Sequence, residues 1–329
     1  MPSADNALLR YEAGQNPTAL SALTDSGDRT TFNGSSSPWS KRTGFVPVIR
    51  PDGLLTGGAV TPAASGTNNL VDVGAGTAYI NGALVSFDAE EDLAITRDAT
   101  DGYLVSSIVV SSAGVVTVEA GDAHASAFSE QRNAAGGPPL IPVGSIELAQ
   151  VRTTAVSASA APIGAGEVYS VIGVHTERSD YPVWDVDYYN GRVTFVDDLP
   201  AIHVGTLPKS VFASYAAPIF ADVSIASDFV PPENSYSVSS TQVYGRTLGS
   251  TSTSLSAGSF TAYLENGVTD PLVGLQGEEL WFQFFPNRYQ TQHIVCQGRL
   301  GVTRTFPADD SISAACTINA ASAATNVAA

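Results

Sequence analysis

The residue types that most often carry chemistry are present but dispersed. His124, His175, His203 and His293 lie far apart and form neither His-x-His nor His-Glu-x-x-His, the spacings that aim two imidazoles at one zinc ion. Each reads as a strand or loop residue. Asp185-Val186-Asp187-Tyr188-Tyr189-Asn190-Gly191 resembles a calcium loop, which needs alternating oxygen donors, a glycine at the turn and a closing bidentate Glu. Its spacing is off by one residue and Val196 stands where that Glu belongs, so the segment is read as a hairpin. Glu90-Glu91-Asp92 with Asp98 and Asp101 is a local acidic cluster, read as a solvated loop rather than a metal site. Gly74-Ala75-Gly76 lacks the third glycine and the following helix of a dinucleotide loop. There is no Gly-x-Ser-x-Gly elbow, nothing sets a base beside any of the many serines, and no acid pair of a glycoside hydrolase is recognisable. The expectation is a chain that is not an enzyme, with no catalytic, metal or cofactor-binding residue and no cofactor. Arg288, Arg299 and Arg304 leave two readings open: pairing with Asp or Glu of a neighbouring subunit, or binding phosphate.

The elements around those arginines are the most regular in the chain. Leu280 to Phe285 is dense in aromatic residues, which suit a half-buried pleated surface. Pro286-Asn287-Arg288 punctuates the run. From His293 the chain alternates: Ile294, Cys296, Leu300, Val302 and Phe306 on one face, His293, Gln297, Arg299, Thr303 and Thr305 on the other. Side chains of a strand point alternately to opposite faces, so this is one long strand, wet on one side. Ser311 to Ala320 repeats the pattern, with Ile312, Ala314, Cys316, Ile318 and Ala320 inward. Wet-faced strands of this kind leave edges that another copy could pair with. Trp281, Phe282 and Phe284 form a cluster apolar enough to be either core or subunit interface.

The order of these segments also carries a family resemblance. A glycine-led Leu-Trp-Phe strand, Phe-Pro-Asn-Arg, a Gln-Gly-Arg strand, Pro-Ala-Asp-Asp-Ser-Ile and a final small-residue strand resemble the C-terminal half of the major tail tube proteins of long-tailed, siphovirus-type bacteriophages. The resemblance covers about Val243 to Val327. It implies a mainly β chain: a β-sandwich or split-barrel tail-tube-like domain preceded by a second β-rich domain, with few short helices. It further implies a virion tail subunit, assembled in the host cytoplasm, whose copies form stacked rings that conduct DNA to the host. One tube domain per chain would give hexameric rings, two would give trimeric ones. The implied partners are further copies, tail terminator and tail tip or baseplate proteins, and genomic DNA that passes through the lumen without specific binding. In the N-terminal half, Ala75-Gly76-Thr77-Ala78-Tyr79-Ile80-Asn81-Gly82 is similar to hairpins of phage fibre and baseplate modules. That leaves a receptor-binding fibre or baseplate protein as the alternative function.

Composition is consistent with such a conduit. The net charge is −17, only 14% of residues are charged, and Lys41 and Lys209 are the lysines. Tight DNA binding needs Lys and Arg to displace phosphate counterions, whereas an acidic surface lets DNA slide. Lumen-facing surfaces are therefore expected to be neutral or net negative, with Arg299 and Arg304 engaged at subunit contacts and Arg299 neutralised by a carboxylate of a neighbouring copy. Solubility alone also accounts for the acidity. Met1 to Gly14 lacks the order of a signal peptide, and no apolar run approaches the ~20 residues of a membrane span, so no membrane insertion is expected. Cys296 and Cys316 are expected to be buried reduced thiols on inward faces of adjacent strands.

On composition the chain divides into a polar arm at 1–44, a β-rich domain at 45–165 and a second β domain at 166–329, with low-complexity Ala155 to Gly166 as the boundary; the resemblance implies that the last of these is the tube-like domain. Short helices are expected at Asp5 to Ala13 and Asp122 to Arg132. Asn81-Gly82 and Asn190-Gly191 signal hairpins, and Glu265-Asn266-Gly267 a third hairpin tip. Tyr103 to Val110 should pair with Val115 to Glu119, and Val223 to Ser240 reads as a loop.

Overall fold

The structure, a computed structural model, describes residues 5–100, 102–154 and 161–328, the side chains of 247 and 248 excepted. It is mainly β, built of antiparallel sheets with one short 3-10 turn and one four-residue helix among the described residues. No helix among them is long and apolar enough to cross a membrane.

The chain divides into two compact units, and not at residues 44 and 165. One comprises Met1–Thr18, Pro38–Pro47 and Tyr215–Ala329; the other comprises Ala19–Ser37 and Val48–Ser214. The N-terminal segment is no separate arm, because Leu8–Ala22 is a 15-residue strand. Its Leu8, Leu9, Arg10 and Tyr11 pair with Phe285, Phe284, Gln283 and Phe282. Leu9 and Tyr11 are buried at strand period, so tertiary pairing overrides the local helical tendency of 5–13. The expected boundary at 155–166 includes residues 155–160, which lie outside the described residues, as does Asp101. The flanks of that stretch belong together: Gln150 and Val151 of one strand pair with Tyr169 and Val168 of the next.

In the first unit the sheet order is Ala226–Val230, Gly258–Tyr263, Ser313–Asn319, His293–Thr305, Glu279–Phe285, Leu8–Ala22, Val211–Asp222, with Thr325–Val327 also on His293–Thr305. One face buries Leu9, Tyr11, Phe260, Leu280, Phe282, Cys296, Leu300, Cys316 and Ile318. The expected alternation holds for Cys296, Leu300, Ala314, Cys316 and Ile318, whereas Phe306 beyond the strand end is 56% exposed. Both cysteines are buried and free. Neither C-terminal strand offers a free edge, since each has a partner on both sides within the chain. Glu265-Asn266-Gly267 is not a hairpin tip. Asp270 accepts the N–H groups of all three, and the loop enters the Pro271–Gly274 turn. The 223–240 stretch is not a loop: it holds the strands Ala226–Val230 and Asn234–Val243.

The second unit packs small sheets around Val71, Val73, Ile80, Phe87, Ile108, Val110, Ile146, Leu148 and Val151. Asn81 and Gly82, at φ +52° and +71°, form the expected hairpin turn between Gly76–Ile80 and Ala83–Phe87. Leu104–Ser111 pairs with Val116–Ala120, as expected, and with Ser145–Thr153. Asn190-Gly191 closes the hairpin of Val183–Asp187 with Arg192–Phe195. The 122–132 segment is not helical. His124 Nδ1 accepts the N–H groups of Ser126 and Ala127 at 3.2 Å each, a local bond that competes with helix formation.

Candidate functional site

The residues singled out from the sequence do not form one site. Along Glu279–Phe285, Leu280 and Phe282 face the first unit's core while Trp281 faces away from it. Trp281 is 4% exposed; its indole N–H donates to Trp39 O at 2.8 Å and its backbone N–H to Glu12 Oε2 at 3.1 Å. Glu12 is fully buried and also accepts the Ser40 hydroxyl. Trp281 and Phe282 are therefore internal, and only half-buried Phe284 reaches a surface. There it stacks on Phe229 at 4.5 Å and lines an open cleft of about 710 Å³ with Leu8, Ile225, Asp228 and Arg288, beside the Ala226–Val230 edge strand. The three arginines do not converge. Arg288 donates to Ala7 O at 2.9 Å, Arg299 to Gly277 O at 3.1 Å and Arg304 to Gly267 O at 2.7 Å. Arg299 lies on the exposed face of its strand.

The histidines are equally dispersed. His293 stacks on Phe285, His175 meets Tyr169 edge-on, and buried His203 contacts Ser145 O at 3.0 Å. In the calcium-like segment, Asp187 accepts Asn190 N–H at 3.0 Å and pairs with Arg192, which is hairpin chemistry. Among the described residues no group of three His, Cys, Asp or Glu could hold a metal ion.

Two arrangements escaped sequence reasoning. The first is the hairpin Asn234–Val243 with Arg246–Leu255, whose strands pair, among the described residues, only with each other. Ser235, Ser237 and Ser239 face Ser254, Ser252 and Ser250 with Oγ–Oγ distances of 2.7, 2.6 and 2.6 Å, a serine ladder along one face. The opposite face carries Tyr236 and Val238, 76% and 77% exposed, across from Thr253 and Thr251. Arg246 is its sole charged residue. The signal was alternation of Ser with Tyr, Val and Thr at period two; the serines masked it as a loop.

The second is a buried ionic layer in the second unit. Every residue of Ser145–Thr153 is buried, because Ile146 and Leu148 face the apolar core while Glu147, Gln150 and Arg152 face a second cover. Glu147 accepts Ser107 Oγ at 2.5 Å and pairs with Arg132; Arg152 forks Glu130 at 2.6 and 2.8 Å. Beside them Lys209 is fully buried, its Nζ 3.5 Å from Glu177 Oε1 and 5.1 Å from the Tyr181 ring centre. Burial pushes the Glu177 carboxyl up, to about 7, against the pull of Lys209, and pushes the Lys209 amine down. Asp52 accepts the N–H groups of Asn81 and Gly82 at 2.8 and 3.1 Å. The sequence signal was charge at alternate positions between apolar residues, as in Ile146-Glu147-Leu148, and a lysine leading an apolar strand.

Of these two arrangements, one is an exposed two-stranded hairpin; the other is a buried layer of paired charges. Comparison with protein-family models, with curated proteins and with solved structures gives no match to this chain.

Proposed function

We propose that the chain is a structural virion protein, a tail tube subunit whose copies close into rings that stack into a conduit for DNA. The observation that carries this reading is the unpartnered Asn234–Leu255 hairpin. A two-stranded hairpin alone is marginally stable in water and exposes unpaired N–H and C=O groups along both edges. Here it also exposes Tyr236, Val238 and, at the turn, Tyr244. Pairing edge to edge with the same hairpin of neighbouring copies covers both edges at once and closes into a ring. The pairing surface thus moves from the C-terminal strands to this hairpin and to the Ala226–Val230 edge.

The chemistry of the hairpin suits a bore. Its serine face is polar and uncharged, and a chain of net charge −17 with Arg246 as the hairpin's one cation offers few counterion-displacing contacts to phosphate. DNA would be kept mobile rather than held. Arg299, on an exposed face, takes a carboxylate of the next copy in this reading. Tail terminator and tail tip proteins would cap the stack.

Electron microscopy of concentrated protein at near-physiological salt, with sedimentation, tests the proposal. Rings or tubes are expected from the native chain. Val238→Lys should give folded monomers with unchanged thermal unfolding, because the side chain touches no core. Monomers at every concentration of the native chain would refute self-assembly, and slender trimers would favour the fibre or baseplate reading instead.

A further inference from the structure

From the contact of Lys209 with Glu177, we propose that the second unit closes an intramolecular isopeptide bond between these two side chains. The assignment rests on placement. Lys209 is 0% and Glu177 4% exposed. Nζ lies 3.5 Å from Oε1, too far for a well-formed hydrogen bond, and neither atom has another hydrogen-bond partner among the described residues. A buried ion pair left so poorly satisfied is costly. Condensation removes both charges and the unsatisfied groups together.

The surroundings fix the acceptor and leave the donor in reach. Glu177 is clamped between two strands: its N–H donates to Glu147 O at 3.1 Å and its O accepts Leu54 N–H at 3.3 Å. Gly53 permits that approach, since a Cβ there would sit 2.2 Å from Arg178 O. The Glu147 N–H donates to Glu177 Oε2 at 3.3 Å, on the oxygen that does not face the amine. That donor is placed to stabilise charge gathering on Oε2 during attack. Tyr181 covers the amine from another side.

The step balances without a co-reactant. A proton passes from the Lys209 ammonium to the Glu177 carboxylate, a transfer that low dielectric favours, giving a neutral amine and a neutral acid. The Nζ lone pair attacks Cδ and a C–N bond forms. The nitrogen then gives up a proton to the Oε1 hydroxyl, the C–O bond breaks, and water leaves. No atom is oxidised or reduced. Buried as they are, amine and acid meet with little orientation left to lose. Glu147 keeps its own partners throughout, so it acts through its backbone and not its carboxylate.

The test is the intact mass of the full native chain, followed by peptide mapping after proteolysis. The expected result is a mass lower than the sequence mass by one water, with a branched peptide joining the segments of Lys209 and Glu177, and Lys209→Met at its full sequence mass. The bond is read directly on the native chain, so the outcome stands even if that variant folds poorly. A native chain at full sequence mass overturns the proposal. So does a lost water mapped to an aspartimide at Asp52-Gly53, or to a Lys209–Asp52 link.

Discussion

Phe282 and Phe284 sit two residues apart on one strand and point to the same face, yet their truncations should differ in cost. Phe282 is 0% exposed, tilted against Phe260 at 5.9 Å, in the core with Leu9, Tyr11, Leu280 and Leu300. Phe282→Ala removes a whole buried ring and leaves a cavity that the flanking strands cannot close, a cost of about 3–5 kcal/mol. Phe284 lies at the open cleft, stacked on Phe229 at 4.5 Å and 17°. Phe284→Ala loses the stacking pair, about 0.5–1.5 kcal/mol, and only part of the burial, while water can enter the vacated space. Its total should be about 1.5–3 kcal/mol. The assay is urea unfolding of dilute protein followed by tryptophan emission, since Trp39 and Trp281 both report the first unit. Two units need not unfold together, so the midpoint and slope of that unit's own transition are compared. Equal costs for the two substitutions would refute the placement of Phe284 at the open cleft, and a cost below about 1 kcal/mol for Phe282→Ala would refute the assigned strand phase.

Two further outcomes follow from burial. Burial pushes the Cys296 and Cys316 thiols up to about 12, so a thiol reagent at about pH 8 should label neither in the native protein and both after unfolding; native labelling would place those strands wrongly. The Arg97 side chain, 2% exposed, forks Glu167 at 2.9 and 3.0 Å. Burial alone would raise the Glu167 carboxyl, but the hydrogen bonds of Arg97 and of Gly164 N–H outweigh it and hold it below its ordinary value of 4.5. A folded value below the unfolded one means stability that is present above pH 4.5 and lost as pH falls through the folded value. Arg97→Met should therefore cost about 3 kcal/mol near neutral pH, with the gap to the native chain narrowing in acid; a gap independent of pH would refute the pairing.

What could be read from the sequence was local. The Asn81-Gly82 turn needs only its two residues and their flanks, and the 313–319 alternation declares its face by period two. The paired strands at 104–120 are joined by a short turn, so their register follows from the turn. What could not be read depends on distant partners. The 5–13 segment looks like a short helix until Phe282 and Phe284 supply the other half of its pairing as a strand. The 223–240 stretch looks like a loop because serine is a turn residue, and only the facing serines turn it into a strand. The buried ionic layer depends on distance in the same way: the alternation around Glu147 marks a strand, but the segments that cover Glu147 and Lys209 are far away in sequence.

The placement of the cations bears on the choice left open for the arginines. Among the described residues, nine of the fifteen Lys and Arg residues pair with a carboxylate inside their own unit, from Arg10 with Asp222 to Lys209 with Glu177. Arg50, Arg288, Arg299 and Arg304 donate to backbone carbonyls. Phosphate recognition wants guanidinium forks converging on one point with their N–H groups directed outward. Here Arg288, Arg299 and Arg304 are exposed, but each donates to a different backbone carbonyl of its own unit instead of converging with the others. The excess of acidic groups is then what the surface presents to solvent. A polyanion approaching it meets repulsion and serine hydroxyls, and few cations to displace its counterions. That arrangement disfavours the phosphate-binding reading of Arg288, Arg299 and Arg304, and it suits a wall along which DNA moves.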